Sequence, residues 1–273
     1  MQYQKIDGIK CFAPELAFQN NGLPAEAFER VFNAETTHFW FCSRNRLLQF
    51  LVGRFLGHQP KRFLEIGCGT GAVLTNLHYF YPSLQLTGAE IYLSGLKLAQ
   101  KRLPQAEFVQ LDATRMPFLD EFDAIGLFDV LEHVEPDELV LHNAYIALKD
   151  EGILFVSVPQ HPFLWSANDR ASFHKRRYRR SELLTKMNRV GFQPIFISSF
   201  VTLLFPLLFT IRLIKRRSRF ENPFDAVMAE LSLTPSLNAT ANAIMKVEEL
   251  IIRAGIPLPF GGSLFLVAKK SPK

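Results

Sequence analysis

The stretch Glu65-Ile66-Gly67-Cys68-Gly69-Thr70-Gly71 sets a carboxylate two residues ahead of three glycines at alternate positions. Phe63, Leu64 and Ile66 form a short apolar run before the glycines, and Ala72-Val73-Leu74-Thr75-Asn76-Leu77 resumes at helical spacing after them. A buried strand, a glycine turn and a helix start make the nucleotide-binding corner of a doubly wound sheet. Glycines free the backbone there and let a ligand approach the main chain, where unpaired N–H groups of the helix start face it. Nineteen residues past Gly71, at the end of the next strand-like run, stands Glu90. A carboxylate at that point can accept both hydroxyls of a ribose.

Three further stretches carry chemistry. Leu111-Asp112-Ala113-Thr114-Arg115 follows the third strand-like run, and Asp112 there also suits a plain turn. Phe128-Asp129-Val130-Leu131-Glu132-His133-Val134 follows the fourth, with Asp129, Glu132 and His133 at a spacing that one helical turn could gather. After the fifth, His161-Pro162-Phe163-Leu164-Trp165 leads into Asp169-Arg170 and then His174-Lys175-Arg176-Arg177-Tyr178, mixing aromatic plates, imidazoles and cations. Ligands bind beyond the carboxyl ends of such strands, so this loop is read as the acceptor side: His161, Trp165, Arg177 and Tyr178 as contacts, Arg177 and Tyr178 fixing an anionic group, and His174 or His161 as the base. A solvated basic helix start is the plainer reading, and it fits Lys175 and Arg176 best.

Gly-x-Gly-x-Gly preceded by Glu65, then Glu90, Asp112 and the Leu131-Glu132-His133-Val134 run, in that order, resemble the class I S-adenosylmethionine (SAM)-dependent methyltransferases of the small-molecule type. The ubiquinone-biosynthesis O-methyltransferases are similar. The resemblance covers about residues 60–200. It implies a Rossmann-like seven-stranded sheet with its last strand antiparallel. It also implies SAM held by Glu65, Gly67, Cys68, Gly69, Gly71, Glu90, Asp112, Ala113 and Phe128, with Asp112 at the adenine amine. A similar acid-x-x-Glu-His pattern in the ubiquinone enzymes holds a divalent cation, but other relatives carry the run without metal, and no metal is expected. His133 then stands as an acid/base or acceptor contact, or packs. Loops like the one at His174–Tyr178 occur in relatives acting on sugars and on lipid-linked intermediates.

The elements that must position these groups alternate. Strands are expected at 63–66, 84–89, 107–110, 122–127, 153–158 and 193–199, with helices over 71–80, 93–103, 136–148 and 181–190. A βαβ series implies a parallel sheet covered by helices on both faces. Residues 1–58 read as an N-terminal helical cap, with helices over 24–32 and 43–56 and an aromatic linker, His38–Arg44, between them. That linker is either a hydrophobic plug or a flap over the cofactor, with Trp40 stacking and Arg44 near a carboxylate. Residues 59–199 are the cofactor domain, 200–260 an insertion between strands six and seven, and 261–273 carry the last strand.

The insertion opens on Phe200–Ile214, apolar but interrupted by Pro206 and Arg212, and then runs into Lys215-Arg216-Arg217-Ser218-Arg219. It is too short for a comfortable span of about 20 residues. Three readings compete, a buried helix, a segment lying in an anionic membrane surface and, least favoured, a true span, and the basic cluster favours the surface or a lipid-bearing acceptor. Its second half aligns Ile244, Val247, Leu250, Ile251 and Ala254 on one helical face.

Composition bounds the rest. With 273 residues, 48% hydrophobic and 21% charged, the chain is globular. The net charge of +5 is uneven: 13 of the 31 Lys and Arg fall in residues 170–219 beside a single acidic residue, Glu182. Three cysteines without Cys-x-x-Cys spacing favour neither a zinc ribbon nor a disulfide framework, and suit a reducing cytoplasm. The polar first ten residues predict no secretion leader. The expected activity is methyl transfer to an oxygen of a lipid-linked, phenolic or sugar intermediate by a cytoplasmic enzyme peripheral on the membrane. One rival is a nucleic-acid methyltransferase, disfavoured because Phe-Asp-Val-Leu follows strand four where base-methylating enzymes have Asn/Asp-Pro-Pro-aromatic. The other is a non-catalytic SAM-binding or membrane-docking module.

Overall fold

The computed structural model describes residues 2–18, 25–59, 61–215 and 232–271. Among these, nine strands make one sheet. Its centre is parallel: β3 (Arg62–Ile66) lies between β4 (Gln85–Glu90) and β6 (Phe122–Phe128), with β5 (Glu107–Gln110) beyond β4 and β7 (Leu148–Pro159) beyond β6. The last strand, β9 (Ser263–Lys270), runs antiparallel between β7 and β8 (Phe192–Phe200), as expected of an antiparallel closing strand. Residues 149–152 loop out of register, with Glu151 left-handed, so the turn expected there is a bulge inside β7.

The seven-strand expectation is corrected to nine. The two extra strands, β1 (Gln4–Ile6) and β2 (Ile9–Cys11), form a hairpin whose second strand joins β5 in parallel. They lie in the segment read as helical cap. Asp7-Gly8 explains it: both adopt positive φ, 50° and 82°, the backbone a two-residue hairpin loop requires.

Helices cover both faces. One face packs α2 (Phe39–Leu56), α3 (Ala72–Phe80), α4 (Leu93–Arg102) and α9 (Pro235–Arg253) through residues such as Leu47, Leu51, Val73, Leu77, Leu96, Met245 and Ile252. The other packs α5 (Asp137–Ala147) and α7 (Arg180–Val190) through Val140, Leu141, Ala144, Leu183 and Met187. The aromatic linker is the first turn of α2, and His38 Nδ1 accepts from the Trp40 N–H at 3.3 Å. Before it, α1 (Ala25–Ala34) lies against α4: Arg102 stacks 3.8 Å over the Phe32 ring and reaches Glu35 at 2.6 Å. The Pro24 start expected for that helix lies outside the described residues.

The insertion holds α8 (Phe205–Lys215) and α9. The expected apolar face of α9 is not the buried one: Val247 and Leu250 are exposed, while Ala241, Met245, Glu248, Glu249 and Ile252 are buried. Two glutamates displace the apolar stripe because both have partners inside. Glu249 takes a two-pronged bond from Arg46 at 2.6 and 2.8 Å, and Glu248 accepts the Thr202 and Leu203 N–H groups at 2.8 Å. Carboxylates that find such partners, Glu249 at both oxygens and Glu248 at one, can take the buried face from an apolar stripe with nothing to meet.

Phe265 sits in the middle of β9, 1% exposed, its ring edge-on to Phe200 at 5.2 Å. Phe265→Ala should cost about 3–5 kcal/mol of stability, measured by urea denaturation.

Candidate active site

The site lies where β3, β4, β6 and β7 end. Gly67 and Cys68 donate to Ala89 O at 2.7 and 3.0 Å, hooking the glycine loop over the end of β4. Gly67 has left-handed φ, and a Cβ on it would stand 2.4 Å from Val130 Cγ2, so the loop approaches the segment after β6 as closely as a chain can. Gly69 is also left-handed, but a Cβ there would meet nothing within 4 Å. It is the open side of the loop. Glu90 accepts from Gly69 N at 3.1 Å and from Ile91 N and Tyr92 N at 2.7 and 3.2 Å, and burial raises its carboxyl against those bonds.

Glu65 is buried beneath the loop with Oε2 lacking any hydrogen-bond partner. Burial pushes its carboxyl well up, against the pull of Arg44. Arg44, from α2, lies 4.8 Å over the Trp40 ring and bonds Asp129 at 2.7 Å, while its Nε has no partner. Phe39 and Trp40 pack against the core, as the plug reading of His38–Arg44 has it, while Arg44 lies beside Asp129, a carboxylate of the protein itself. Cys68 is buried and its thiol is raised well above the ordinary value by that burial, so it is no nucleophile.

The remaining cofactor residues divide. Asp112 spends its carboxylate locally, accepting from Thr114 N and Oγ1 at 2.8 and 2.7 Å and from Arg115 Nε at 3.2 Å. That is the turn-forming geometry. Ala113 offers its carbonyl to Asn143 Nδ2 at 3.0 Å. Phe128 is turned back over Gly126, where a Cβ would stand 2.5 Å from its ring, so the ring belongs to the core.

After β6 the chain makes a turn, not a helix. Asp129 has φ 57° and faces Arg44, whereas Glu132 and His133 face the acceptor loop. The three are therefore not gathered together. Instead, among the described residues, ligand-type atoms of Glu132, His133 and His174 lie within 4.8 Å of one another. Glu132 is buried with Oε2 unpartnered, and desolvation raises its carboxyl well above the usual range. The His133 and His174 rings meet edge to face at 4.8 Å. His133 opens to solvent on one side, yet the protein around its ring, then His174 and Lys175, bring its pKa down to about 3.

The acceptor loop corrects two expectations. Tyr178 is fully buried, its hydroxyl 2.6 Å from Asp137 Oδ2 and 3.1 Å from Leu131 O, so it braces the loop and does not line a pocket. Arg177 is buried too, donating to Asp169 at 2.7 Å and Gln160 O at 3.1 Å. Both were read as anion contacts because a basic-aromatic run looks exposed in one dimension. His161 stacks on Phe163 at 4.9 Å with its Nε2 unpartnered, and burial lowers its pKa. Trp165 is half-buried at the end of a single 3-10 turn, Pro162–Leu164.

The residue that sequence reading missed is Asp169. It is 0% exposed and bonds His174 Nδ1 at 3.1 Å, Arg177, and Arg212 at 3.0 Å. Its signal was the Ser166-x-x-Asp169 pair, a capping box that opens the short helix α6 (Ala167–Ala171).

A doubly wound sheet with an open glycine corner is the Rossmann-like arrangement, and comparison with known proteins says what such a corner carries in similar chains. Residues 64–156 match the Methyltransferase domain family, and that segment is similar to the class I SAM-dependent methyltransferases. It is 32% identical over 122 residues to a demethylmenaquinone methyltransferase of Thermotoga maritima, covering 41% of this chain and 53% of that protein. It is 27% identical over 127 residues to a ubiquinone biosynthesis O-methyltransferase of Histophilus somni, covering 42% and 52%. The chain thus spans about half the length of the curated relatives it matches. The fold is similar to Haemonchus contortus phosphoethanolamine N-methyltransferase 2 in complex with SAM: TM-score 0.55, 20% identity, 84% of this chain and 53% of that one.

The residues fit that cofactor: the glycine loop is open at Gly69, and an unpartnered Glu65 oxygen and Arg44 Nε lie beneath it. Gly69→Val fills the open side with a branched side chain at a left-handed position, and should remove SAM binding while leaving a folded protein. Calorimetric titration beside a circular dichroism melt checks both. Retained affinity would move the cofactor elsewhere.

Proposed function

We propose that the chain moves a methyl group from SAM to an oxygen of a small acceptor: a lipid-linked, phenolic or sugar intermediate. One observation carries this reading. The Asp129–His133 turn touches the glycine loop on one side, at Gly67 and Val130, and the acceptor loop on the other. There Glu132 O accepts Lys175 N at 2.6 Å and His133 meets His174. Cofactor corner and acceptor loop therefore share one wall.

Bound SAM supplies an electrophilic methyl. The protein needs to align the acceptor in line with it and take a proton. Glu90 is the ribose carboxylate of this reading, and Glu65 and Arg44 offer unpartnered atoms to the ammonium and carboxylate of the methionine end. His174 takes the acceptor's proton, with His133 and His161 shaping the pocket and Trp165 as an apolar wall. The low pKa of His133 keeps it neutral at physiological pH and spares the electrophilic site a further cation. Glu132, His133 and His174 act without metal in this reading. A Mg²⁺ effect on binding would overturn that part.

The second element is a membrane surface. Leu203, Leu207, Phe209 and Ile211 are exposed along α8 and the turn before it, with Phe163 and Phe260 beside them. No helix among the described residues is long and apolar enough to cross a membrane. An apolar face next to a strongly basic segment suits a helix lying on anionic lipid, which supports the reading of an enzyme peripheral on the cytoplasmic side of a membrane. The basic cluster Arg216–Arg219 itself lies outside the described residues. Leu208 turns inward against Gly262, so the outward pair to change is Leu207 and Phe209.

Two measurements test the proposal. Titration with SAM and its demethylated product, with and without Mg²⁺, should give micromolar binding that Mg²⁺ leaves unchanged. No binding by a folded sample would end the enzymatic reading. Leu207→Glu with Phe209→Glu should release the protein from phosphatidylglycerol vesicles in a sedimentation assay, with SAM affinity kept, and unaltered sedimentation would make α8 a docking face for something else.

A further inference from the structure

His174 is held by more than its place in the loop. Its backbone N donates to Asp169 O at 2.9 Å, and its ring Nδ1 lies 3.1 Å from Asp169 Oδ1. The same oxygen takes Arg177 Nε at 2.7 Å. The other takes Ser166 N at 2.8 Å, Ser166 Oγ at 3.1 Å and Arg212 NH1 at 3.0 Å. Three segments thus converge on one wholly buried carboxylate: the capping turn at Ser166, the loop carrying His174 and Arg177, and the apolar helix α8.

We infer that Asp169 is the positioning residue of the acceptor pocket: it fixes the ring angle and tautomer of His174, so that Nε2 carries the free electron pair. The inference rests on His174 being the base proposed above. An ionised carboxylate can only accept hydrogen bonds, and two guanidiniums around this one hold it ionised. The pull of His174, Arg177 and Arg212 outweighs burial and keeps its carboxyl far below the usual range. Nδ1 of His174 must then be the protonated nitrogen, because it has an acceptor and no donor to meet. A neutral imidazole bonded through Nδ1–H is a base at Nε2, and cannot spin to offer the wrong edge. Two arginines alone would explain a buried aspartate as a brace. They would not require a third contact to the one imidazole that faces His133 and Glu132.

The arrangement also ties α8 to the pocket. Arg212 interrupts an otherwise apolar helix and turns inward to Asp169 and Ser166 Oγ. The apolar helix thereby lends a cation, Arg212, to the carboxylate that sets the base.

The test reads the imidazole directly and needs no acceptor. In protein labelled with 15N-histidine, the His174 signals are those lost in His174→Gln. Wild type should show His174 as the Nδ1–H tautomer. Asp169→Ala should return it to the Nε2–H form that free imidazole favours, with SAM affinity by calorimetry changed no more than a few-fold. An Nε2–H His174 in wild type, or an Nδ1–H ring that persists in Asp169→Ala, overturns the inference. Should Asp169→Ala fail to fold, the wild-type tautomer decides alone. Absence of SAM binding in wild type defeats the cofactor reading instead, and leaves the tautomer result to stand by itself.

Discussion

The approach of Gly67 to Val130 is the constraint on which the site depends. Two crossovers leave the sheet side by side, after β3 and after β6, and a side chain at Gly67 would collide with the next turn. Only the bare main chain lets both reversals occupy the same edge. With that contact made, Gly69 is left facing open space, and Asp129 is placed where Arg44 of α2 can reach it. A parallel sheet delivers all its strand ends to one side, so a tight corner there gathers residues distant in sequence.

What the gathered residues do follows from how each buried carboxylate is compensated. Glu90 receives three N–H groups and Asp169 receives two guanidiniums and an imidazole. Glu65 and Glu132 each keep an unpartnered oxygen. An unpaired buried polar atom costs about 1–3 kcal/mol, which a fold tolerates where a ligand later supplies the partner. The satisfied carboxylates hold the loops in place; of those with an unpartnered oxygen, Glu248 lies away in α9, while Glu65 and Glu132 flank the Asp129–His133 turn, where the proposed cofactor and acceptor would meet.

Much of this was legible in the sequence. Apolar runs with glycine and proline breaks revealed the central strands and crossover helices, because period and punctuation are local properties. The glycine corner was legible for the same reason. The hairpin at Asp7-Gly8 was equally local and was passed over beneath the helical pattern that follows it. Burial of charge was not legible. Tyr178 and Arg177 look like surface contacts until the fold brings Asp137 and Asp169 to them, and Glu248 and Glu249 look like a solvated face until Arg46 and the Thr202 turn arrive. A charged side chain declares its environment only through a partner, and these partners lie as far as 203 residues away.

The insertion between β8 and β9 leaves the sheet core intact. The two strands pair from Phe192 and Lys270 to Phe200 and Ser263, so the sheet closes whatever lies between them. Loop-closure entropy rises only with the logarithm of length, and an inserted helix pair adds little to the cost of that closure. Freed from the sheet, α9 is anchored by Arg46 and by the Glu248 cap at Thr202, and α8 is left with an outward apolar face and one inward arginine. That division keeps the exposed apolar residues of α8 apart from the glycine loop while Arg212 ties the helix to Asp169 beside His174. Changes on the outer face of α8 can therefore be made without disturbing the glycine loop.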